Sequence, residues 1–545
     1  MSNSNYLIFI IMKKYILLSI IALAAVSCEL DDNLNPNKVL SEQVTPSLRL
    51  SGASTTAYAV QAGVVTSGER GGMNLLGNAW TNTWSGNYAQ FGNPFVTESD
   101  LNFTTTYRQA IFTDMYKAVT RFQRIIDFGN QYPNYVAIAK IQKAYYMQYI
   151  VDLYGNVPYT EAFKEANNAN PAYDKDIDVY KGLVSELLDA RNLISSSTNA
   201  SFTVTASSDP IFKGSMSKWN EFANTVLLKF AVRLSNTTDA QGIALRNQII
   251  NALSGATFIS ADVAINPGYS GASTDTLNPL YNAFGIKTAA GASNTNGYLL
   301  MTASDHAVKV LQGDASKITS GVQDSRIEFL FTKGKQYNNT VAGGATGYYG
   351  YPQGMTNDDY KVHMGFTVDA RKPLTENFSL LAGIFTSATG ASSNGYLMMR
   401  AESELLQAEA ALRGYAGFTN DQTHFNNAVT ASFTFDGKAS DAASYITSIS
   451  AKPKVGWVGS TEDKIAAIQY QRWVALINYN GIESYINYLR TGYPETPLSS
   501  ISTQPNKPWR LLYPADEYSN NSANVPVVSQ AQVFSKNQYT PFIYK

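Results

Sequence analysis

The sequence predicts a mainly α-helical protein with an irregular, loop-rich lobe, and three observations carry that expectation. Apolar residues recur every three or four positions through several long segments, which is the period of one helix face. Glycines stand where those segments stop, at Gly155, Gly414, Gly481 and Gly492, and a glycine just past a helix accepts the left-handed backbone that ends it. Between about 237 and 390 the pattern gives way to Gly, Asn, Ser and Thr with isolated tyrosines, as in GGATGYYGYPQG over 343–354. Long irregular loops of that kind in a folded protein are often functional.

Taken in order, the chain opens with an export leader, 1–27. Lys13 and Lys14 precede an apolar run over 16–26, and the small residues Ala24, Ala25 and Ser27 lead into Cys28. A membrane-spanning helix needs roughly 20 apolar residues, and this run has the length of a signal-peptide core instead. Residues 1–11 fit no signal design, so Met12 with its two lysines makes the better start. Cys28 is the single cysteine in 545 residues, which leaves disulfides out of the argument. Ala25-Val26-Ser27-Cys28 resembles the lipobox of bacterial lipoproteins, whose cysteine carries a thioether-linked lipid; the plainer reading is an ordinary leader with a chance cysteine. Glu29, Asp31 and Asp32 follow, an acidic start that resembles the surface-export tag of Bacteroidetes lipoproteins. The implied location is the outer face of the outer membrane. Residues 28–46 then read as a lipidated, flexible tether, broken by Asn33, Asn35, Pro36 and Asn37.

From 47 to 545 no stretch is long enough in Pro, Gly and Ser to be a linker, so the chain reads as one unit with a loop-rich insertion over about 237–390. Helical stripes predict helices over 107–128 (Ile111, Met115, Ala118, Phe122, Ile125) and 138–154 (Ile141, Tyr145, Tyr149, Leu153). Further helices are expected over 178–194, 218–234, 396–413, 462–479 and 482–490. No clean 34-residue self-similarity is present, so any helix-pair repeats are degenerate. Roughly 515 residues after the leader exceed what one core supports, and two lobes or a helical array are expected.

Composition narrows the ligand class. Lys and Arg number 41 against 42 Asp and Glu, a net charge of −1, so no basic field exists to hold nucleic acid. Charged residues make up 15%, below the usual share of about 25%, while Asn, Ser, Thr and Tyr abound; a neutral polar ligand suits that surface better than a charged one.

Catalytic chemistry finds little footing. His306, His363 and His424 are far apart and share no metal-ligand spacing, and neither a nucleophile elbow nor a phosphate-binding loop is present. Glu98 with Asp100, or Asp358 with Asp359, could be offered as a glycosidase carboxylate pair, or the second as a Ca²⁺ site; acidic pairs this near in sequence are usually solvated loop charge. No metal or cofactor is expected. The candidate ligand surface is aromatic. Trp80, Trp84, Tyr88 and Phe91 lie in GNAWTNTWSGNYAQFGNPF over 77–95, broken up by Gly77, Gly86, Gly92 and Pro94, with Asn82, Asn87 and Gln90 beside them. Flat rings cover the C–H face of a sugar while amides bond its hydroxyls; alternatively the four-residue spacing of Trp80, Trp84 and Tyr88 marks a buried helix face. Tyr348, Tyr349 and Tyr351 form a second set, whose glycines argue for exposure.

Six stretches carry a family resemblance: DLYGNVPYTEAF (152–163), WNEFANTVLLKFAVRLS (219–235), MRAESELLQAEAALRG (399–414), QRWVAL (471–476), LRTGYP (489–494) and YPADEY (513–518). In this order they resemble the SusD/RagB family of nutrient-binding outer-membrane lipoproteins, its SusD-like subgroup. The chain departs at its end, where paired tryptophans are common and Pro541 to Lys545 stand instead. The resemblance implies degenerate tetratricopeptide-like helix pairs plus an irregular ligand-binding lobe. It also implies no reaction: such proteins bind oligosaccharide, or in some cases peptide, at the cell surface and cap a SusC-like TonB-dependent transporter that imports it. A surface glycoside hydrolase, or a peptide-binding or scaffold protein, is the competing reading.

Overall fold

Where apolar residues repeat at helical spacing, the chain is helical. The computed structural model describes residues 44–63, 70–92, 94–164, 167–197, 203–339 and 344–545; the leader, Cys28, Glu29, Asp31, Asp32 and nearly all of the tether lie outside them. In chain order the long helices are α1 (Pro46–Ala62), α2 (Gly72–Trp80), α3 (Gln109–Ile126), α4 (Pro133–Tyr154), α5 (Asp176–Ser196), α6 (Met216–Arg233) and α7 (Ala240–Ala252). The loop-rich segment itself holds α8 (Asp305–Gln312) and α9 (Asn357–His363), and after it come α10 (Arg400–Leu412), α11 (Asp421–Phe435), α12 (Ala442–Ile449), α13 (Thr461–Leu476) and α14 (Gly481–Thr491). Consecutive helices pack as pairs: α3 on α4, α4 on α5, α6 on α7, α10 on α11 and α13 on α14. This is the tetratricopeptide-like arrangement of an all-α fold with few, short strands. Helix α4 is the centre. It starts on Pro133, which needs no N–H there, and is buried on nearly every side, as an all-round apolar helix must be. No helix among the described residues is long and apolar enough to cross a membrane.

Three expectations are corrected. Residues 396–398 are not the start of a helix: they belong to strand Gly395–Met398, antiparallel to Val263–Ile265, and Met399, in extended conformation, precedes α10. Gly481 does not close the preceding helix. It opens α14, and Asn478 (φ 72°) makes the left-handed turn instead. Gly77 does not break its segment either. It sits inside α2, where an added Cβ would lie 2.0 Å from the Gly481 carbonyl carbon, so the residue is fixed by the close approach of α2 and α14. Asn74 fastens the same crossing, donating to the Asn478 carbonyl at 2.9 Å and accepting from Gly481 N–H at 2.8 Å.

The sequence stretches that carry the family resemblance converge on buried charge. Lys229 lies 2.8 Å from Glu402 and 2.7 Å from Glu483; Arg233 lies 2.7 Å from Glu483 and 3.1 Å from Asp152. Beside them Arg490 holds both oxygens of Glu409, at 2.6 and 2.8 Å, and Arg472 donates to Asn487 at 2.7 Å. Buried charges are tolerated only when paired in this way. Burial raises the Glu483 carboxyl, but Arg233 and Lys229 outweigh it and hold the group down at about 2. At Asp152 burial wins over Arg233 and pushes the carboxyl up to about 6.

The loop-rich lobe has little sheet. Strand β1 (Trp84–Gly86) pairs with Met301–Ala303, and Gly334–Lys335 pairs with Thr346–Gly347. Side-chain amides do most of the holding. Asn87 donates to the Leu299 carbonyl at 2.8 Å, Asn357 to Tyr88 at 2.8 Å, Asn377 to Lys335 at 3.0 Å, and Gln353 to both Ala79 (2.8 Å) and Trp84 (3.0 Å). Each satisfies a backbone group that no ladder reaches.

Candidate functional site

The stretch 77–95 places its two tryptophans in the core. Trp80 ends α2 against Tyr485, ring centroids 5.0 Å apart, and Trp84 packs edge-on against Phe284 at 5.4 Å. Trp84 Nε1 donates to Asn478 Oδ1 at 2.8 Å. At 3% and 0% exposure neither presents a ring face, which corrects the expectation that a sugar stacks on them. The helical stripe ends at Trp80, since Trp84 is already in β1. Asn82 and Asn87 are buried too, and their amides hold loops: Asn82 donates to the Pro497 carbonyl at 3.1 Å and Asn87 to Leu299. Of this set Phe91 is half-buried and Gln90 exposed, with Gln90 Oε1 accepting from Thr375 Oγ1 at 3.0 Å.

The second set divides. Tyr351 is wholly buried, contrary to the exposure its glycines suggested. It stacks between Tyr88 (5.9 Å, 16°) and Tyr360 (5.2 Å, 17°), with Phe378 edge-on at 4.7 Å. The two sequence sets therefore meet through Tyr88 and Tyr351, in a small aromatic core separate from the main one. Tyr348 and Tyr349 stay at the surface, half-buried. Tyr349 is tied down, its N–H to Ser379 Oγ at 3.0 Å and its hydroxyl to the Ala345 carbonyl at 3.0 Å.

Tyr348 is the hinge of the exposed face. On one side it lines a cleft of about 500 Å³ with Gln312, Gln323, Asp324 and Glu328. Lys333 Nζ lies 5.8 Å from its ring centre, and Lys333 in turn lines a groove of about 580 Å³ with Gln90, Lys335, Thr346, Leu374 and Glu376. The Gly334–Gly347 pairing fixes this geometry. Partial burial, then the Glu328 charge, raises the Tyr348 hydroxyl, so it stays a protonated donor. A half-exposed ring flanked by amides, carboxylates and lysines can cover an apolar ring face and bond the hydroxyls around it. Gln312, Gln323, Glu328 and Lys333 escaped sequence reasoning because they belong to no motif and approach Tyr348 only through tertiary folding.

The offered catalytic groups are engaged elsewhere. Glu98 is buried against Arg108 Nε at 2.9 Å; Asp358 pairs with Lys361 at 2.7 Å, and Asp359 accepts from Thr356 Oγ1 at 2.6 Å. His424 meets Glu404 at 2.7 Å, His306 faces Lys317, and His363 ends α9.

Residues 64–514 match a SusD-like family profile described as starch-binding and associating with outer membrane. Among solved structures, a chitin-binding SusD homolog from Flavobacterium johnsoniae is 21% identical with a TM-score of 0.62, covering 87% of this chain and 94% of its own. A SusD homolog from Bacteroides uniformis is 20% identical with a TM-score of 0.64, over 90% and 98% of the two chains, and one from Bacteroides ovatus is 17% identical at 0.63, over 87% and 93%. No curated protein matches the chain in sequence. With the family profile covering most of its length, and the fold shared with these homologs, the chain belongs to the SusD-like family.

Proposed function

We propose that this protein is a lipid-anchored receptor on the outer face of the outer membrane, which binds nutrient oligosaccharide and passes it to a SusC-like TonB-dependent transporter without chemical turnover. The observation that carries the binding reading is the half-exposed Tyr348 ring set between two polar clefts, on the loop-rich segment 237–390. The chitin-binding homolog of the same fold supports a glycan as the ligand class, and Cys28 behind its leader supports the anchor. The test is affinity electrophoresis and calorimetry of the mature protein against a panel of polysaccharides including chitin oligomers and starch, with product analysis alongside. Binding that weakens in Tyr348→Ala, with no shortened products, is the expected result. Saccharide release during incubation would sink the non-catalytic reading, and undiminished binding in the variant would move the site off this face.

A further inference from the structure

A third cleft, sharing no lining residue with the two beside Tyr348, opens between α8, α13 and the loop after α14. Its volume is about 270 Å³. Sites for drug-sized ligands run from about 300 to 1,000 Å³, so this one has room for a single ring with its substituents. The walls are apolar and aromatic: Val310, Ala466, Tyr470, Trp473, Tyr493 and Pro494. Ile318 at the cleft is 48% exposed, an apolar side chain left in water beside an apolar hollow. The His306 ring stands 6.0 Å from that of Trp473, tilted by 57°.

The charge at this cleft is one-sided. Lys454 is answered by Glu495 at 3.3 Å. Lys317, half-buried, has no carboxylate partner among the described residues, and its Nζ rests 3.5 Å from Nδ1 of His306. An ammonium only donates, so Nδ1 accepts and the imidazole proton belongs on Nε2. Burial first, then Lys317 and Lys507, push the imidazole down to about 3, which keeps it neutral. The cleft thus offers apolar side chains, the Lys317 ammonium with no carboxylate bonded to it and the Asp314 carboxylate near enough to feel its charge, and a neutral His306 ring, while the Glu495 carboxylate on the lining is held by Lys454. We propose that it binds a six-membered ring bearing a carboxylate, the ring against Tyr493 and Ile318, the accessible apolar side chains of the cleft, and the carboxylate on Lys317. An aromatic carboxylate and a uronic acid present the same chemistry, and the experiment separates them.

The mature protein is titrated by calorimetry and by ligand-observed magnetic resonance with benzoate, glucuronate, benzamide and glucose. The expected outcome is binding of benzoate, glucuronate or both with Kd below about 1 mM, with the neutral counterpart about tenfold weaker or worse. Lys317→Met removes that discrimination while the double variant Lys454→Met with Glu495→Gln, which removes an ion pair without changing net charge, keeps it. Ile318→Glu, on an exposed side chain that does not hold the fold, weakens the carboxylate about tenfold by placing a like charge at the cleft. Response to benzoate alone assigns an aromatic acid, and to glucuronate alone a sugar acid. Failure of both carboxylates to bind with Kd below about 1 mM, or binding by Lys317→Met or Ile318→Glu as tight as that of the parent, overturns the proposal. Polysaccharide binding through Tyr348 is read independently, since no residue is shared.

Discussion

Tyr88 lies flat against Tyr351, ring centroids 5.9 Å apart and planes 16° from parallel. These rings come from two distant segments, and their contact turns two apparent ligand surfaces into one interior. Tyr351→Ala should therefore cost about 3 to 5 kcal/mol, the range for deleting a buried aromatic ring, seen as a lower denaturant midpoint. Tyr348→Ala, at a ring only half-buried on the main core, should lower the midpoint much less and weaken glycan binding by about 1 to 3 kcal/mol, roughly ten- to a hundredfold. The reverse pattern would place the site residues wrongly.

Gly77→Ala should abolish soluble folded protein or lower its melting temperature steeply, because the new methyl meets backbone atoms of Gly481 and Ile482 at 2.0 and 2.1 Å. Gly52 in α1 is the control: an added Cβ there has nothing within 4 Å, so Gly52→Ala should gain up to about 1 kcal/mol through helix propensity. Thermal unfolding of both variants decides it.

Glu483→Gln should destabilise by about 3 to 5 kcal/mol, since Lys229 and Arg233 lose a shared buried partner. The sign with pH follows from its depressed carboxyl, at about 2 against an ordinary 4.5. The unfolded chain takes up the proton first, so this contribution is complete above 4.5 and is lost as pH falls from 4.5 towards 2. Denaturation curves at pH 6 and pH 3 should converge for the variant relative to the parent.

Lys507 behaves in the opposite sense. Its ammonium is buried, held by the Thr496 carbonyl at 2.9 Å and the Tyr488 ring at 4.3 Å, and burial pushes it from 10.5 to about 7. Between those values the unfolded chain binds the extra proton, so stability rises with pH from 7 to 10.5 and the penalty is full below 7. Lys507→Met should flatten that rise and stabilise the protein at pH 7 by a few kcal/mol, measured by chemical denaturation across the range.

Cys28→Ala should move the protein from the membrane to the soluble fraction, if the thioether lipid is its attachment. Retention of the variant in outer membranes that lack the transporter would end the lipoprotein reading.

The sequence made the paired helices legible because their stripes are local: Ile111, Met115, Ala118, Phe122 and Ile125 all face inward as the spacing requires. Helix α1, rich in Ala, Ser and Thr, has no such stripe and went unnoticed. The run at 396–398 is apolar whether strand or helix, and only its partner at 263–265 decides. The amides of Asn82 and Asn87 looked like ligand groups because their true acceptors, the carbonyls of Pro497 and Leu299, are remote in sequence. The ion pairs were invisible for the same reason, although every charged member but Glu483 sits in the very stretches that carry the family resemblance.

The amide-tied loops of the lobe separate two tasks that a β-sheet would merge. In a ladder, the backbone that gives the surface its shape also fixes which side chains alternate outward. Here a few inward-pointing amides, Asn87, Asn357, Asn377 and Gln353, hold the contour, and outward residues such as Tyr348 and Lys333 take no part in that. The display can be rewritten residue by residue while the frame stays put, so specificity in such a lobe is editable without refolding, as in a loop-bearing antibody domain.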